Sequence, residues 1–193
     1  MEFSGARLVL ASSSPRRREL LSLFGIPYEI IPSRAEESAS GGGSDRVAKI
    51  ARDKCDEVFS RVGDRFVLAA DTLVCVEGQI LGKPKDARDA AQMLRLLGGR
   101  WHEVHTGICL QGPNGFQCSR VDMSRVLFGE LSEEKIARYV QTREPMDKAG
   151  AYALQGASGI FISRIEGSPS NVMGLPLYLA GQMLEEAGFV LNF

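Results

Sequence analysis

Apolar positions along this chain switch repeatedly between a short-run or alternating pattern and a helical one. Leu8-Val9-Leu10 is a continuous apolar triplet, which suits a strand covered on both faces. Ser14 then stands where a helix N-cap would be, and Pro15 fits the first helical position, where a missing N–H costs nothing. Leu20, Leu23 and Phe24 form the apolar face of that helix, and Gly25 ends it. Residues 28–31 read as a short strand, and residues 33–44, ending SASGGGS, as a flexible loop. Ser44 is placed to cap a helix over residues 45–62, with Val47, Ile50, Ala51, Cys55 and Val58 inward. Residues 66–77 read as a central strand, and Gln79-Ile80-Leu81 folds back on it through a Glu77-Gly78 turn. Asp86 opens a helix with Ala90, Met93, Leu94 and Leu97 at helical spacing, closed by Gly98-Gly99. Strands follow at residues 104–110 and 121–127. Leu131 and Ile136 bracket Ser132 as a hydrophobic staple, opening a helix that runs to about Thr142. Residues 160–165 suit a strand, and Pro176 suits the first position of a last helix facing the core through Ala180, Met183, Leu184 and Ala187. Strands alternate with helices, without repeat or linker, so the pattern predicts one α/β domain over residues 1–193.

Several polar residues break this pattern, and they point to chemistry. Arg16, Arg17 and Arg18 occupy the first turn of the first helix, where the macrodipole disfavours cations by a few tenths of a kcal/mol each. With Ser12, Ser13 and Ser14 beside them and free backbone N–H groups at the same end, they read as a phosphate site. The alternative is a solvated basic turn. Lys54 lies seven residues after Val47 on an apolar stripe. It either snorkels to water or is a buried cation with an anionic partner. On the second reading, Lys54→Met should harm phosphate binding more than stability, because methionine packs there without strain. Asp71, followed by Thr72, interrupts an otherwise apolar strand. A carboxylate is costly there unless a metal, a substrate or neighbouring backbone groups stabilise it. Glu36 and Glu37 sit in the mobile loop, which could close over a metal–phosphate complex or leave both acids solvated. Lys83 follows Gly82, but the segment is not a P-loop. The segment EPMDKAGAYALQG, residues 144–156, holds Glu144, Asp147, Lys148 and Gln155 without a clean period, as either a site wall or a surface loop. His102 and His105 are separated by an odd interval and face opposite sides of a strand, so they do not form a joint metal site.

Composition narrows the classes. Lys+Arg 23 against Asp+Glu 24 gives a formal charge of −1, which argues against a non-specific nucleic-acid or membrane binder. Four cysteines at 55, 75, 109 and 118 show no CxxC spacing, which disfavours zinc and suits buried thiols in a reducing compartment. The opening MEFSGARLVLASSS has too short an apolar run for a signal peptide and no cleavage pattern. A cytoplasmic protein is expected.

Five separated motifs match one family in order along nearly the whole chain. They are ASSSPRRRELL, the AADT of the Asp71-Thr72 strand, LGKP at residues 81–84, EPMDKAGAYALQG, and NVMGLPL at residues 171–177. Together they resemble the Maf family of nucleoside triphosphate pyrophosphatases. The resemblance implies an elongated α/β fold related to inosine triphosphate pyrophosphatases, with a mixed twisted sheet flanked by helices, a deep cleft and often a homodimer. It implies hydrolysis of a nucleoside triphosphate to the monophosphate and pyrophosphate with a divalent cation, Mg²⁺ or else Mn²⁺ or Co²⁺. Ser14, Arg17, Lys54 and Lys83 would surround the triphosphate, with Lys148 also on the substrate. Glu37 or Asp71 would hold metal, and Asp71 matches the family's proton acceptor. Arg16, Thr72 and Gln155 match the subgroup acting on dTTP and UTP, modified pyrimidine nucleotides included. The subgroup acting on 7-methyl-GTP differs at those three positions. Purine specificity on the same chemistry, and a nucleotide-binding regulator of septum formation, are the alternatives.

Overall fold

A computed structural model describes residues 8–192; the reading of the N-terminus as lacking a leader falls largely on residues 1–7, outside that range. The described strands are β1 (Leu8–Leu10), β2 (Tyr28–Ile30), β3 (Phe66–Val76), β4 (Gln79–Leu81), β5 (Trp101–Gln111), β6 (Gln117–Phe128) and β7 (Ile162–Glu166). The helices are α1 (Pro15–Ser22), α2 (Gly43–Val62), α3 (Ala87–Leu97), α4 (Glu133–Gln141), α5 (Pro169–Val172) and α6 (Leu177–Glu186). All seven strands join one mixed sheet in the order β2-β1-β3-β5-β6-β7, with β4 also paired to β3. β1 is parallel to both β2 and β3, while β4 on β3 and β7 on β6 are antiparallel. Leu8, Val9 and Leu10 are fully buried, as a strand enclosed on both faces requires.

The tertiary contacts group the residues into two compact units. One comprises the chain up to Asp71, Thr106–Asp122 and the chain from Gly174 onward. Its core includes Val9, Ala51, Cys55, Val58, Val67, Ala69 and Cys109. The other comprises Thr72–His105 and Met123–Met173, cored by residues such as Val74, Leu94, Val126, Phe128, Ile136 and Tyr152.

Local patterning is borne out in the helix faces and altered at several ends. α2 buries Val47, Ile50, Ala51, Cys55 and Val58 as expected, but it begins at Gly43 behind Gly42 rather than behind Ser44. In α1 the buried residues are Leu20 and Leu21, whereas Leu23 is exposed: the helix stops at Ser22, and the face runs 20, 21, 24. Ser14 is the N-cap by position, yet its hydroxyl makes no cap bond. Pro176 is the N-cap of α6, one residue before its predicted place. Residues 157–161 form a 3₁₀ turn, so the strand predicted from residue 160 starts at Ile162. Asp86 and Ser132 do cap, accepting from Asp89 N–H and Lys135 N–H.

Candidate active site

Asp71 sits in mid-strand, where β3 changes partners. The register with β1 ends at Leu68, and the register with β4 begins at Val74. β1 turns away at this level: Ala11 N–H still bonds the Leu68 carbonyl, and the chain then runs into α1. Asp71 therefore lies just beyond the end of the parallel pairing, where the first unit can offer groups other than a strand edge. It is 8% exposed, and its Oδ1 accepts from Lys54 Nζ at 2.7 Å. Lys54 arrives on the inward face of α2 and is itself 7% exposed. Of the two readings of this lysine, the buried cation is the one observed.

The same ammonium donates to Glu37 Oε1 at 2.7 Å. Glu37 comes from the Gly/Ser-rich loop, and its side chain remains half exposed. One buried cation thus gathers two carboxylates from segments distant in the chain. Arg17 joins them electrostatically. Burial lowers the pKa of its guanidinium, and first Asp71, then Glu37, push it back up. Its Nε donates to the Gly174 carbonyl at 2.8 Å and its Nη1 to Ser12 Oγ at 3.3 Å. Ser12 Oγ also accepts from Ser14 N–H at 3.2 Å. Ser12, not Ser14, is the hydroxyl that organises this turn. Arg16 is half-buried in the first turn of α1.

Arg17, Glu37, Lys54 and Asp71 are thus brought together in the first unit, with Ser14 and Arg16 on the same helix start. The remaining four candidates belong to the second unit. Thr72 is half-buried and, following Asp71 on a strand, faces the other side of the sheet. Lys83 is exposed in the β4–α3 connection. Lys148 donates to the Glu144 carbonyl and to Asp147 Oδ1, so its charge is locally paired. Gln155 is exposed. The loops bearing Lys83 and Lys148 are tied directly, Gly150 N–H to the Gly82 carbonyl at 3.1 Å.

Residues 144–161 are built from 3₁₀ turns at Glu144–Asp147, Ala149–Ala151 and Ala157–Phe161. Side chains hold this irregular segment. Glu144 accepts from Tyr139 Oη at 3.0 Å and from Ala157 N–H at 3.1 Å. Ser158 Oγ accepts from Ala153 N–H and donates to the Ala153 carbonyl, both at 2.9 Å. Gly156 passes close to this carboxylate: a Cβ there would stand 1.9 Å from Glu144 Oε1 and would displace it from its partners. Glu144 therefore frames the loop, and Ser158, which carries no signal in the sequence pattern, shares that work.

His102 and His105 do take separate partners. His102 Nε2 is 2.8 Å from Tyr152 Oη, and His105 Nε2 is 3.0 Å from Glu103 Oε2. Among the described residues no cluster of three or more His, Cys, Asp or Glu could hold a metal ion. All four cysteines are free thiols, Cys55 and Cys109 buried.

The fold is that of the Staphylococcus aureus Ham1 protein, whose solved structure aligns over 93% of this chain and 98% of its own, at TM-score 0.55 and 17% identity. The chain belongs to the family of Maf-like proteins, which matches residues 7–187. Among its relatives, the dTTP/UTP pyrophosphatase of Caldicellulosiruptor bescii is 47% identical over 190 residues, covering 95% of this chain and 96% of the relative. That of Methylobacillus flagellatus is 46% identical over 192 residues, covering 97% and 96%. That of Thermococcus gammatolerans is 47% identical over 182 residues, covering 94% and 97%.

Proposed function

We propose that this chain hydrolyses dTTP and UTP to the nucleoside monophosphate and pyrophosphate with the aid of a divalent cation. The observation that carries the reading is Lys54, a buried ammonium 2.7 Å from both Asp71 and Glu37. A buried cation with two carboxylates, an arginine and a helix start is an arrangement suited to polyphosphate chemistry. In the reaction, water attacks the α-phosphorus and the bond to the α–β bridging oxygen breaks. Asp71 takes the water's proton. Lys54 and Arg17 bear on the phosphate charge, with Ser14 at the start of α1 and Lys83 in its loop assigned to the same group.

The two carboxylates fit a divalent cation. Mg²⁺ needs only one or two protein carboxylates, because water and substrate phosphates complete its shell. Glu37 and Asp71 already accept from one ammonium, Lys54 Nζ. Glu37 would hold the divalent cation, or Asp71 would in place of serving as the base, since one carboxylate does not readily do both. When bound, it would neutralise charge on the phosphate oxygens. Mg²⁺ is the first choice, with Mn²⁺ or Co²⁺ as substitutes.

Base preference is assigned to Arg16, Thr72 and Gln155, with Lys148 on the substrate. The support is the motif resemblance together with the dTTP/UTP pyrophosphatase names of the relatives. Gln155 has both donor and acceptor atoms, matching the O4 and N3–H edge of uracil or thymine. A cytoplasmic homodimer completes the reading, supported by the free thiols and the resemblance.

Pyrophosphate release from dTTP, UTP, CTP, ATP, GTP and 7-methyl-GTP, measured side by side with Mg²⁺, tests this. The highest kcat/KM is expected for dTTP and UTP. A preference for 7-methyl-GTP or another purine would keep the chemistry and overturn the base assignment. Nucleotide binding without release of pyrophosphate would favour the regulator. Asp71→Asn, which leaves Lys54 its Glu37 partner, should still fold, with some loss of melting temperature, and lose about 10²–10⁴-fold in turnover, as removal of a general base does.

A further inference from the structure

His102 is the buried polar group that the proposed chemistry leaves unused. It is 2% exposed in β5, among aromatic rings, where phenylalanine would serve a purely apolar core without needing a partner. Its partner is the Tyr152 hydroxyl, 2.8 Å from Nε2, and Tyr152 is only 5% exposed. The two rings meet edge to face, with centroids 5.3 Å apart, and both pack on Phe128 at 5.0 and 4.8 Å. The bond links a regular strand to a segment built of 3₁₀ turns.

Tyr152 stands four residues after Lys148 and three before Gln155. Around it the segment is pinned at Gly150 by the Gly82 carbonyl, at Ala153 by Ser158 and at Ala157 by Glu144. These contacts lie on the backbone at either side, and the Tyr152 side chain adds a hydrogen-bonded tie from the middle of the segment to β5. Burial keeps the phenol protonated and lowers the His102 pKa to about 4, so both groups are neutral near pH 7 and the bond joins two uncharged partners.

We propose that His102 is a positioning residue for base recognition, holding through Tyr152 the backbone from which Gln155 meets the pyrimidine edge. This rests on the proposed reading that Gln155 contacts the base. A hydrogen-bonding edge discriminates only when its geometry is fixed, because a mobile amide can satisfy the wrong base as well. His102 therefore acts on selectivity and KM rather than on the chemical step.

The test uses steady-state kinetics with dTTP and GTP on the intact chain, with inhibition by pyrophosphate as a base-free probe. Tyr152→Phe keeps the ring packing and removes only the hydroxyl; His102→Phe removes the imidazole. Both are expected to raise KM for dTTP several-fold, to change kcat by less than about twofold, and to cut the dTTP-over-GTP ratio of kcat/KM by about tenfold. Pyrophosphate inhibition should be unmoved. His102→Gln places an amide near the original Nε2 and should restore most of the ratio. Gln155→Ala is the reference for the base contact itself. Should Gln155→Ala lose selectivity while Tyr152→Phe keeps it at a native-like melting temperature, His102 is a core residue only and the inference fails, with the functional reading intact. Unchanged selectivity in Gln155→Ala would overturn the base-reading role of Gln155, and the inference with it.

Discussion

At the scale of single residues, the Lys54–Asp71 pair decides how the site can be altered. Both side chains are about a tenth exposed and 2.7 Å apart. Burying two charges costs several kcal/mol each in desolvation, repaid only while both are present. This corrects the expectation that Lys54→Met would spare stability. Methionine fills the space, but Asp71 would be left as a buried carboxylate without its ammonium. Breaking such a pair typically costs about 3–5 kcal/mol, and nearby Arg17 moderates that loss here. Lys54→Met should therefore melt several degrees lower and lose turnover. The double variant Lys54→Met/Asp71→Asn, which removes the stranded charge, should regain most of the melting temperature and remain inactive. A Lys54→Met protein that melts like the parent would show that the pair is not coupled. Lys54 and Asp71 were legible in the sequence because each is a charge in an apolar pattern, which needs a reason. Ser12 was legible only as one of three neighbouring hydroxyls, and Ser158 and the role of His102 were not legible at all. A serine in a turn is unremarkable to a pattern, and the His102 partner lies 50 residues away.

At the scale of elements, α2 carries Lys54, and its seat on the sheet depends on Gly107 in β5. A Cβ at Gly107 would lie 2.4 Å from the Val47 carbonyl oxygen and 2.8 Å from Ala48 N. Those are backbone atoms of the first turns of the helix, which cannot swing aside as a long side chain could. Overpacking of this kind typically costs about 1–3 kcal/mol, and its relief requires α2 to shift. Gly107→Ala should lower the melting temperature and also reduce turnover, because displacing α2 moves Lys54 relative to Asp71. Circular dichroism melts and pyrophosphate release measure the two effects; an unperturbed melt would mean that the helix adjusts without strain. The faces of α2, α3 and α6 were readable because a 3.6-residue period is a property of the local sequence. Helix starts were less so. Ser44 and Gly42 both suit an N-cap, and the choice of Gly42 depends on how the loop enters the helix, which no periodicity records.

At the scale of the whole molecule, the strand order β2-β1-β3-β5-β6-β7 could not be read from the pattern, since each strand looks equally able to be central. What the pattern did contain was the α/β alternation and the motifs placed on it. The groups with depressed pKa values spread over the fold nevertheless make a joint statement about pH. Burial lowers the His102 pKa from 6.5 to about 4. In the unfolded chain the same imidazole takes up its proton near pH 6.5, so between those values the unfolded state binds more protons than the native one. Stability therefore rises with pH across this window and is lost as pH falls through it, by an amount on the order of 3 kcal/mol when fully expressed. Glu57 and Glu133 add losses of the same sign at lower pH. Burial pushes the Glu57 carboxyl up, but the backbone N–H of Arg34 and the side chains of Ser33 and Arg61 together outweigh it and hold Glu57 below the usual glutamate value; Arg95 does the same for Glu133. Losses from carboxylates held below the glutamate range come at lower pH than the imidazole range, so the early part of the acid limb belongs to His102. Melting temperatures from pH 8 to 4.5 should stay level down to about pH 6.5 and then decline. In His102→Gln, which has no proton to gain there, the level region should extend to about pH 5 before the carboxylates take effect. Equal slopes for parent and variant between pH 6.5 and 5 would show that His102 does not set the acid limit of this fold.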